Sequence, residues 1–74
     1  MKQLNAAQMV TLETDIIDRF GYSATLRAMG DIAREKADHL RENWQDNKSA
    51  TRFETMGKVC DKAAQRADEQ IGDA

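Results

Sequence analysis

The sequence predicts an all-α fold, an antiparallel three-helix bundle with helices at about residues 6–20, 24–44 and 50–70. Apolar residues recur at intervals of three and four in three stretches, which is the periodicity of amphipathic helices. Two breaks, at residues 21–23 and 43–49, separate these stretches. The chain has 74 residues, enough for one domain only, so residues 1–74 are predicted to form a single helical domain.

The first predicted helix, residues 6–20, has signals at both ends. Asn5 suits the N-cap position, and Gln8 three residues later can complete a capping box. Gly21 follows the helix as a C′ residue, because glycine adopts a left-handed conformation without a steric penalty. One side of the helix is predicted to collect its large apolar residues: Met9, Val10, Leu12, Ile16, Ile17 and Phe20.

The second predicted helix, residues 24–44, begins after Ser23 or Thr25 and carries two contrasting faces. Its apolar face comprises Leu26, Met29, Ile32, Ala33, Ala37, Leu40 and Trp44. Its opposite face carries charges of alternating sign: Arg27, Asp31, Arg34, Asp38 and Arg41. These charges can pair at i,i+3 and i,i+4 within the helix, which predicts a solvent-exposed face that contributes little to stability.

The third predicted helix, residues 50–70, begins after Ser49 and has the most regular apolar stripe. Its members are Phe53, Met56, Val59, Cys60, Ala63, Ala64, Ala67 and Ile71. Trp44 and the three methionines within the stripes are in phase with the core, so we expect them to be buried. Cys60 lies between Met56 and Ala64, which predicts a buried and inert thiol.

The predicted core is small for an independent fold. A domain of this size buries only about 60% of the surface that its unfolded chain exposes, and this chain has neither a disulfide nor an evident metal site. The three apolar arcs are each about 160° wide, broader than a free three-helix bundle usually covers. We therefore expect homodimerisation or a partner to complete the bundle.

Five residues are candidates for interaction: Glu13, Lys36, Gly30, Gly57 and Trp44. Gly30 and Gly57 lie at the edges of their stripes, where each permits a tight helix crossing, a groove for a partner, or neither. Glu13 falls within the apolar arc of its helix, and Lys36 falls within the arc of the next. Glu13 either reaches water along its stem or pairs with Lys36 or with a cation of a second subunit or partner.

Charge and composition exclude several classes of protein. The 11 basic and 13 acidic residues give a net charge of −2, and no segment is a basic stripe, so nucleic-acid binding is not expected. No apolar run approaches the roughly 20 residues that a membrane span requires. The single cysteine cannot form an internal disulfide, which predicts the reducing cytoplasm.

The candidate chemistry is weak. Glu35 and His39 lie one helical turn apart, but one histidine and a distant cysteine do not make a zinc site, so no metal and no cofactor are expected. No nucleophile lies at a meaningful spacing from a base, and no glycine-rich phosphate loop is present. The sequence predicts a protein that is not an enzyme and has no small-molecule substrate.

The predicted function is that of a small regulator or adaptor that acts by binding another macromolecule, a protein partner or a second copy in a homodimer. One alternative is an inhibitor, encoded by a phage or mobile element, that blocks a host complex. Another is a DNA-binding regulator with a helix-turn-helix formed by a split at Gly30–Asp31. Acidic residues crowd the face that would meet the phosphates in that arrangement.

Overall fold

The computed structural model describes residues 2–72, and it consists of helices joined by two short interruptions. Helix α1 spans Ala6–Thr11, a π-helical segment spans Leu12–Ile17, α2 spans Asp18–Trp44 and α3 spans Asn47–Gln70. No strand occurs among residues 2–72. The prediction of an all-α protein is confirmed.

The three-helix bundle is not confirmed. Residues 22–70 form an antiparallel helical hairpin of α2 and α3, whereas residues 6–20, the N-terminal arm, do not complete a third layer. No Cα atom of residues 6–17 lies within 8 Å of a Cα atom of α3. The first predicted break therefore lies between the arm and a packed pair of helices, and the second lies within that pair.

The N-terminal arm begins as the sequence predicts. The Asn5 side chain accepts a hydrogen bond from the Gln8 backbone N–H at 2.8 Å, and the Asn5 backbone N–H donates to the Gln8 side chain at 2.9 Å. This is the expected capping box. The π-helical segment is not predicted, because the sequence interpretation assumed α-helical periodicity throughout. Hydrogen bonds from i to i+5 widen this part of the helix and change which residues share a face.

The arm ends at Gly21, where the backbone leaves helical geometry with φ 87° and ψ 166°. This conformation is essentially restricted to glycine, because a Cβ atom would clash with the backbone. Helical conformation resumes at once, so α2 begins earlier than the predicted start after Ser23 or Thr25. Gly21 is the one residue of α2 with non-helical φ and ψ, so it accounts for the change of direction between the arm and residues 22–44 of α2.

The connection between α2 and α3 comprises only Gln45 and Asp46. Gln45 takes the left-handed conformation at φ 50° and donates its backbone N–H to the Leu40 carbonyl, which ends α2. The Asp46 carboxylate accepts the Ser49 backbone N–H at 3.1 Å and caps α3. The predicted break at residues 43–49 is therefore too long, because a non-glycine residue ends one helix and the next residue caps the other.

Small residues fill the interface between α2 and α3. Apart from Gly21, the buried residues are Ser23, Gly30, Ala33, Ala37, Ala50, Gly57, Cys60 and Ala64. Most of these positions recur every seven residues along each helix, which is the spacing that keeps one seam facing a partner helix. The core is correspondingly thin, and no large side chain in the described part of the chain is fully buried.

The large apolar residues do not occupy the core as predicted. Trp44 is 71% exposed, and Met9, Met29 and Met56 are each at least half exposed. The helices approach too closely for such side chains to fit between them, so these residues lie beside the interface or beyond it. Cys60, by contrast, is buried as predicted.

Candidate interaction surface

The crossing of α2 and α3 is set by two facing glycines. A Cβ atom on Gly30 would lie 3.2 Å from the Gly57 carbonyl oxygen, and a Cβ atom on Gly57 would lie 3.3 Å from the Gly30 carbonyl oxygen. Both distances are shorter than ordinary van der Waals contact between such atoms. Of the alternatives that the sequence left open, the tight crossing is formed, and it is formed within the chain itself.

Ion pairs close one edge of this crossing. Arg27 pairs with Asp68 at 2.5 Å, and Arg34 pairs with Asp61 at 2.8 Å. A third ion pair joins Arg41 of α2 to Glu54 of α3. Each step of seven residues along α2 is matched by a step of seven in the opposite direction along α3, as antiparallel helices require.

These contacts shift the pKa values of the groups involved. The hydrogen bond from Arg41 lowers the pKa of Glu54, and the hydrogen bond from Arg27 lowers that of Asp68, with a smaller contribution from Ser23. Hydrogen bonds from Arg34, first to Asp31 and then to Asp61, raise the pKa of its guanidinium. The charged forms are thus favoured on both sides of the edge.

The charged face of α2 is consequently not the self-contained surface that the sequence predicts. Arg34 does pair with Asp31 within the helix at 2.5 Å, as expected. All three arginines nevertheless reach α3. The missed signal is the matching seven-residue spacing of Arg27, Arg34 and Arg41 in α2 and of the three acidic residues in α3.

Large apolar side chains remain exposed along the opposite edge of the hairpin. We call this surface the hairpin face, and its exposed members are Met29, Ile32, Phe53 and Met56. Leu26 and Leu40 lie beside them and are partly buried. The hairpin therefore has one edge closed by ion pairs and one edge at which apolar surface meets solvent.

Two adjoining depressions make the hairpin face a groove. One has a volume of about 480 Å³ and is lined by Ile32, Glu35, Lys36, His39, Leu40 and Phe53. The other has a volume of about 340 Å³ and is lined by Ser49, Arg52, Phe53 and Met56. Phe53 lines both, so the two depressions adjoin at this residue, and we call them together the groove.

Comparisons with protein-family models, curated proteins and solved structures find no match to this chain. The functional interpretation therefore depends on the geometry of its own residues.

The N-terminal arm presents a second uncovered apolar surface. Its exposed large apolar residues are Met9, Val10, Leu12, Ile16 and Phe20. Ile17 is the arm's only partly buried residue. The large apolar residues that the sequence predicts for one side of the first helix are thus exposed, apart from Ile17, within the part of the chain that the structure describes.

The structure separates the five candidate interaction residues. Gly30 and Gly57 are buried at the crossing of α2 and α3, whereas Trp44 is exposed at the end of α2. Lys36 lines the groove, and Glu13 is exposed in the π-helical segment of the arm. No ion pair joins Glu13 to Lys36 within residues 2–72, so a pair between them inside one chain is not formed.

Neither a metal site nor a membrane span emerges from the described residues. Within residues 2–72, no group of three or more histidine, cysteine or acidic residues converges on one point. His39 instead lies 2.9 Å from the Asn43 side chain, measured from its Nδ1 atom to the amide nitrogen. None of the helices in this part of the chain combines the length and the apolar character needed to cross a bilayer.

Proposed function

We propose that this chain is a small non-enzymatic protein that works by binding another protein chain through the hairpin face. The observation that carries the proposal is the exposure of Met29, Ile32 and Met56, each at least half exposed, on a face that two depressions sharing Phe53 indent. An exposed apolar patch of this kind is typical of a protein interaction site. Methionine and aromatic residues are also favoured at such surfaces.

The shape of the groove favours an amphipathic helix as the bound element. Two antiparallel helices form its walls, and a third helix laid between them would bury apolar side chains at intervals of three and four residues. Lys36 would stand beside the bound helix and favour a carboxylate on it. The hairpin would then act as the receiving half of a helical bundle, in line with a regulator or adaptor.

The arginines of α2 favour a protein partner over a nucleic acid. Arg27, Arg34 and Arg41 each pair with a carboxylate of α3, which leaves little uncompensated positive charge along that helix. Helix α2 also continues through Gly30–Asp31, where a helix-turn-helix would need a turn. The net charge of −2 also favours a protein partner over a nucleic acid.

We place this function in the cytoplasm. The single cysteine, Cys60, is buried against α2 and has no partner cysteine in the sequence, which suits a reducing compartment.

Photocrosslinking in the source cell tests the proposal. A photoreactive phenylalanine analogue at position 32 or 56 lies on the hairpin face, and the same group at position 62 lies on an exposed part of α3 outside it. We expect protein adducts from positions 32 and 56 after irradiation and none above background from position 62. Equal labelling at all three positions, or adducts with nucleic acid alone, would contradict the proposal.

A further inference from the structure

The chain exposes much more surface than a compact monomer of its size. Its accessible surface is 6116 Å² at a mass of 8.3 kDa. A compact monomer of that mass exposes about 4,600 Å², so the excess is about 1,500 Å². The radius of gyration is 14.2 Å, against about 11 Å for a compact chain of this length.

This excess is of the size that each subunit of an obligate homodimer buries. A dimer that removed it from both chains would bury about 3,000 Å² in total, within the range of about 2,000–5,000 Å² found for permanent assemblies. The two uncovered apolar surfaces, the N-terminal arm and the hairpin face, supply the area. They also match in length, because the arm and residues 26–40 of α2 each extend about 20 Å.

The chain's own arm is poorly placed to cover its own hairpin face. Antiparallel helices are normally joined by two to five residues, and two residues join α2 to α3 here. The arm is joined to α2 by Gly21 alone, and residues 6–17 make no close approach to α3. A connection too short to reverse the chain favours exchange of the arm between two copies.

Charge complementarity supports the same pairing. Glu13 is one of three acidic residues in the arm, with Asp15 and Asp18, and it is the one that the sequence places within the apolar arc; Lys36 is the basic residue beside Ile32 and Leu40 on the hairpin face. Within residues 2–72 neither Glu13 nor Lys36 makes an ion pair. Glu35 and His39 line the same depression as Lys36, and Arg52 lines the adjoining one, so Lys36 is the lysine or arginine beside Ile32 and Leu40.

We propose that two copies of this chain form a homodimer by reciprocal exchange, each hairpin face binding the N-terminal arm of the other copy. Glu13 of each arm then lies against Lys36 of the partner subunit, and each half of the dimer is a three-helix bundle. This inference rests on the proposed function and names the helix that the groove receives. A single carboxylate–ammonium pair in an apolar contact fixes the register of the arm.

Charge reversal at Glu13 and Lys36 tests whether these two residues meet across the dimer. Glu13→Lys or Lys36→Glu alone should raise the dimer dissociation constant about tenfold, because each places like charges together. The double variant should return it to within about threefold of the parent. Sedimentation equilibrium of the full chain measures all four constants, and a double variant as weak as the single variants would overturn the pairing.

Mixing two variants tests whether the arm binds the hairpin of the other copy. Ile16→Asp in the arm and Ile32→Asp on the hairpin face should each give monomers, whereas Trp44→Asp, a matched control at an exposed apolar residue outside both surfaces, should stay dimeric. Mixing the two monomeric variants restores one intact arm–face contact, so dimers should reappear. Their absence on mixing would overturn reciprocal exchange, as would a dimer that survives both variants.

The outcomes separate this inference from the proposed function. A parent chain that sediments as a monomer at 8.3 kDa would overturn the homodimer. Photoadducts at positions 32 and 56 with a different protein would then still support binding through the hairpin face. A monomer without specific adducts would overturn both.

Discussion

Gly30 and Gly57 show how single residues determine the distance between α2 and α3. Glycine in a helix costs about 1 kcal/mol relative to alanine, and here it permits the facing backbones to approach closely. The nearest obstacle to a side chain on Gly30 is the Asp61 carboxylate, which can move aside. The next is the Gly57 carbonyl oxygen at 3.2 Å, which can move only if the helices separate.

We predict that Gly30→Val destabilises the protein by about 1–3 kcal/mol, because overpacking outweighs the small gain in helix propensity. Urea unfolding followed by circular dichroism at one fixed protein concentration measures the change. Ala28→Val is the matched control on the exposed side of α2 and should cost only about 0.5 kcal/mol. Equal stability of the two variants would show that the crossing is not tight.

The carboxylates of α3 and its cap predict a loss of stability in acid. Hydrogen bonds lower the pKa of Asp46, Glu54 and Asp68 below their ordinary values of 3.8, 4.5 and 3.8. A group whose pKa is lower in the folded state stabilises the fold above its ordinary pKa, and this contribution disappears as the pH falls through the folded value. The melting temperature should therefore decrease as the pH is lowered below about 4.5.

Glu54→Gln tests the origin of this acid sensitivity. The variant removes the charge that Arg41 meets, so its melting temperature should be lower at pH 7 and should fall less between pH 5 and pH 2. Glu42→Gln removes an exposed carboxylate that has no ion pair among residues 2–72 and is the control. An acid profile of Glu54→Gln that matches the parent would contradict a role for the pair.

Among the helices, the N-terminal arm depends on Gly21 for its direction. At φ 87° and ψ 166° an L residue is strained by about 1–3 kcal/mol, so Gly21→Ala favours a straight continuation of the arm into α2. We predict that this variant keeps its helical content but dimerises more weakly than the parent. Sedimentation equilibrium and circular dichroism measure the two effects.

A D-alanine at position 21, introduced by chemical synthesis, is the control for this variant. A D residue adopts the observed φ and ψ without strain, because their mirror image lies in the β region of an L residue. The D-alanine chain should dimerise as the parent does. Dimerisation equally weak in both alanine chains would show that the bend is not the cause.

The ends of the elements could be predicted from sequence only where side chains signal them. Asn5, Gln8 and Gly21 have recognised roles in capping and in left-handed backbone, and the structure uses them so. Gln45 takes a left-handed conformation with no such signal, which is why the second break was predicted too long. No residue pattern signals the π-helical segment, so the sequence does not predict it either.

The apolar stripes of the second and third predicted helices run along the α2–α3 interface, but their large residues do not form a core. Periodicity locates the side of a helix that avoids water, whereas the size of its residues decides what fits between two helices. Ala50, Gly57 and Ala64 pack between α2 and α3, and the larger Phe53 and Met56 stay at the edge. Which residues stay at the edge depends on the distance between α2 and α3, and periodicity does not give that distance.

At the scale of the whole molecule, the uncovered arm of each copy would cover the uncovered hairpin face of the other in the proposed dimer. The three-helix bundle predicted for one chain would form twice in the dimer, each time with two helices from one copy and an arm from the other. The predicted role of homodimerisation in completing the fold would then hold, while the third helix would come from a second chain. The charged edge of the hairpin, closed by its ion pairs, would remain on the outside.

Isotope-filtered nuclear Overhauser spectroscopy on a mixture of labelled and unlabelled chains tests the reciprocal dimer most directly. The account predicts intermolecular contacts between the Ile16 methyl groups of one chain and the Ile32 and Met56 methyl groups of the other. Contacts between those methyl groups within one chain, or intermolecular contacts between arm and arm alone, would contradict it.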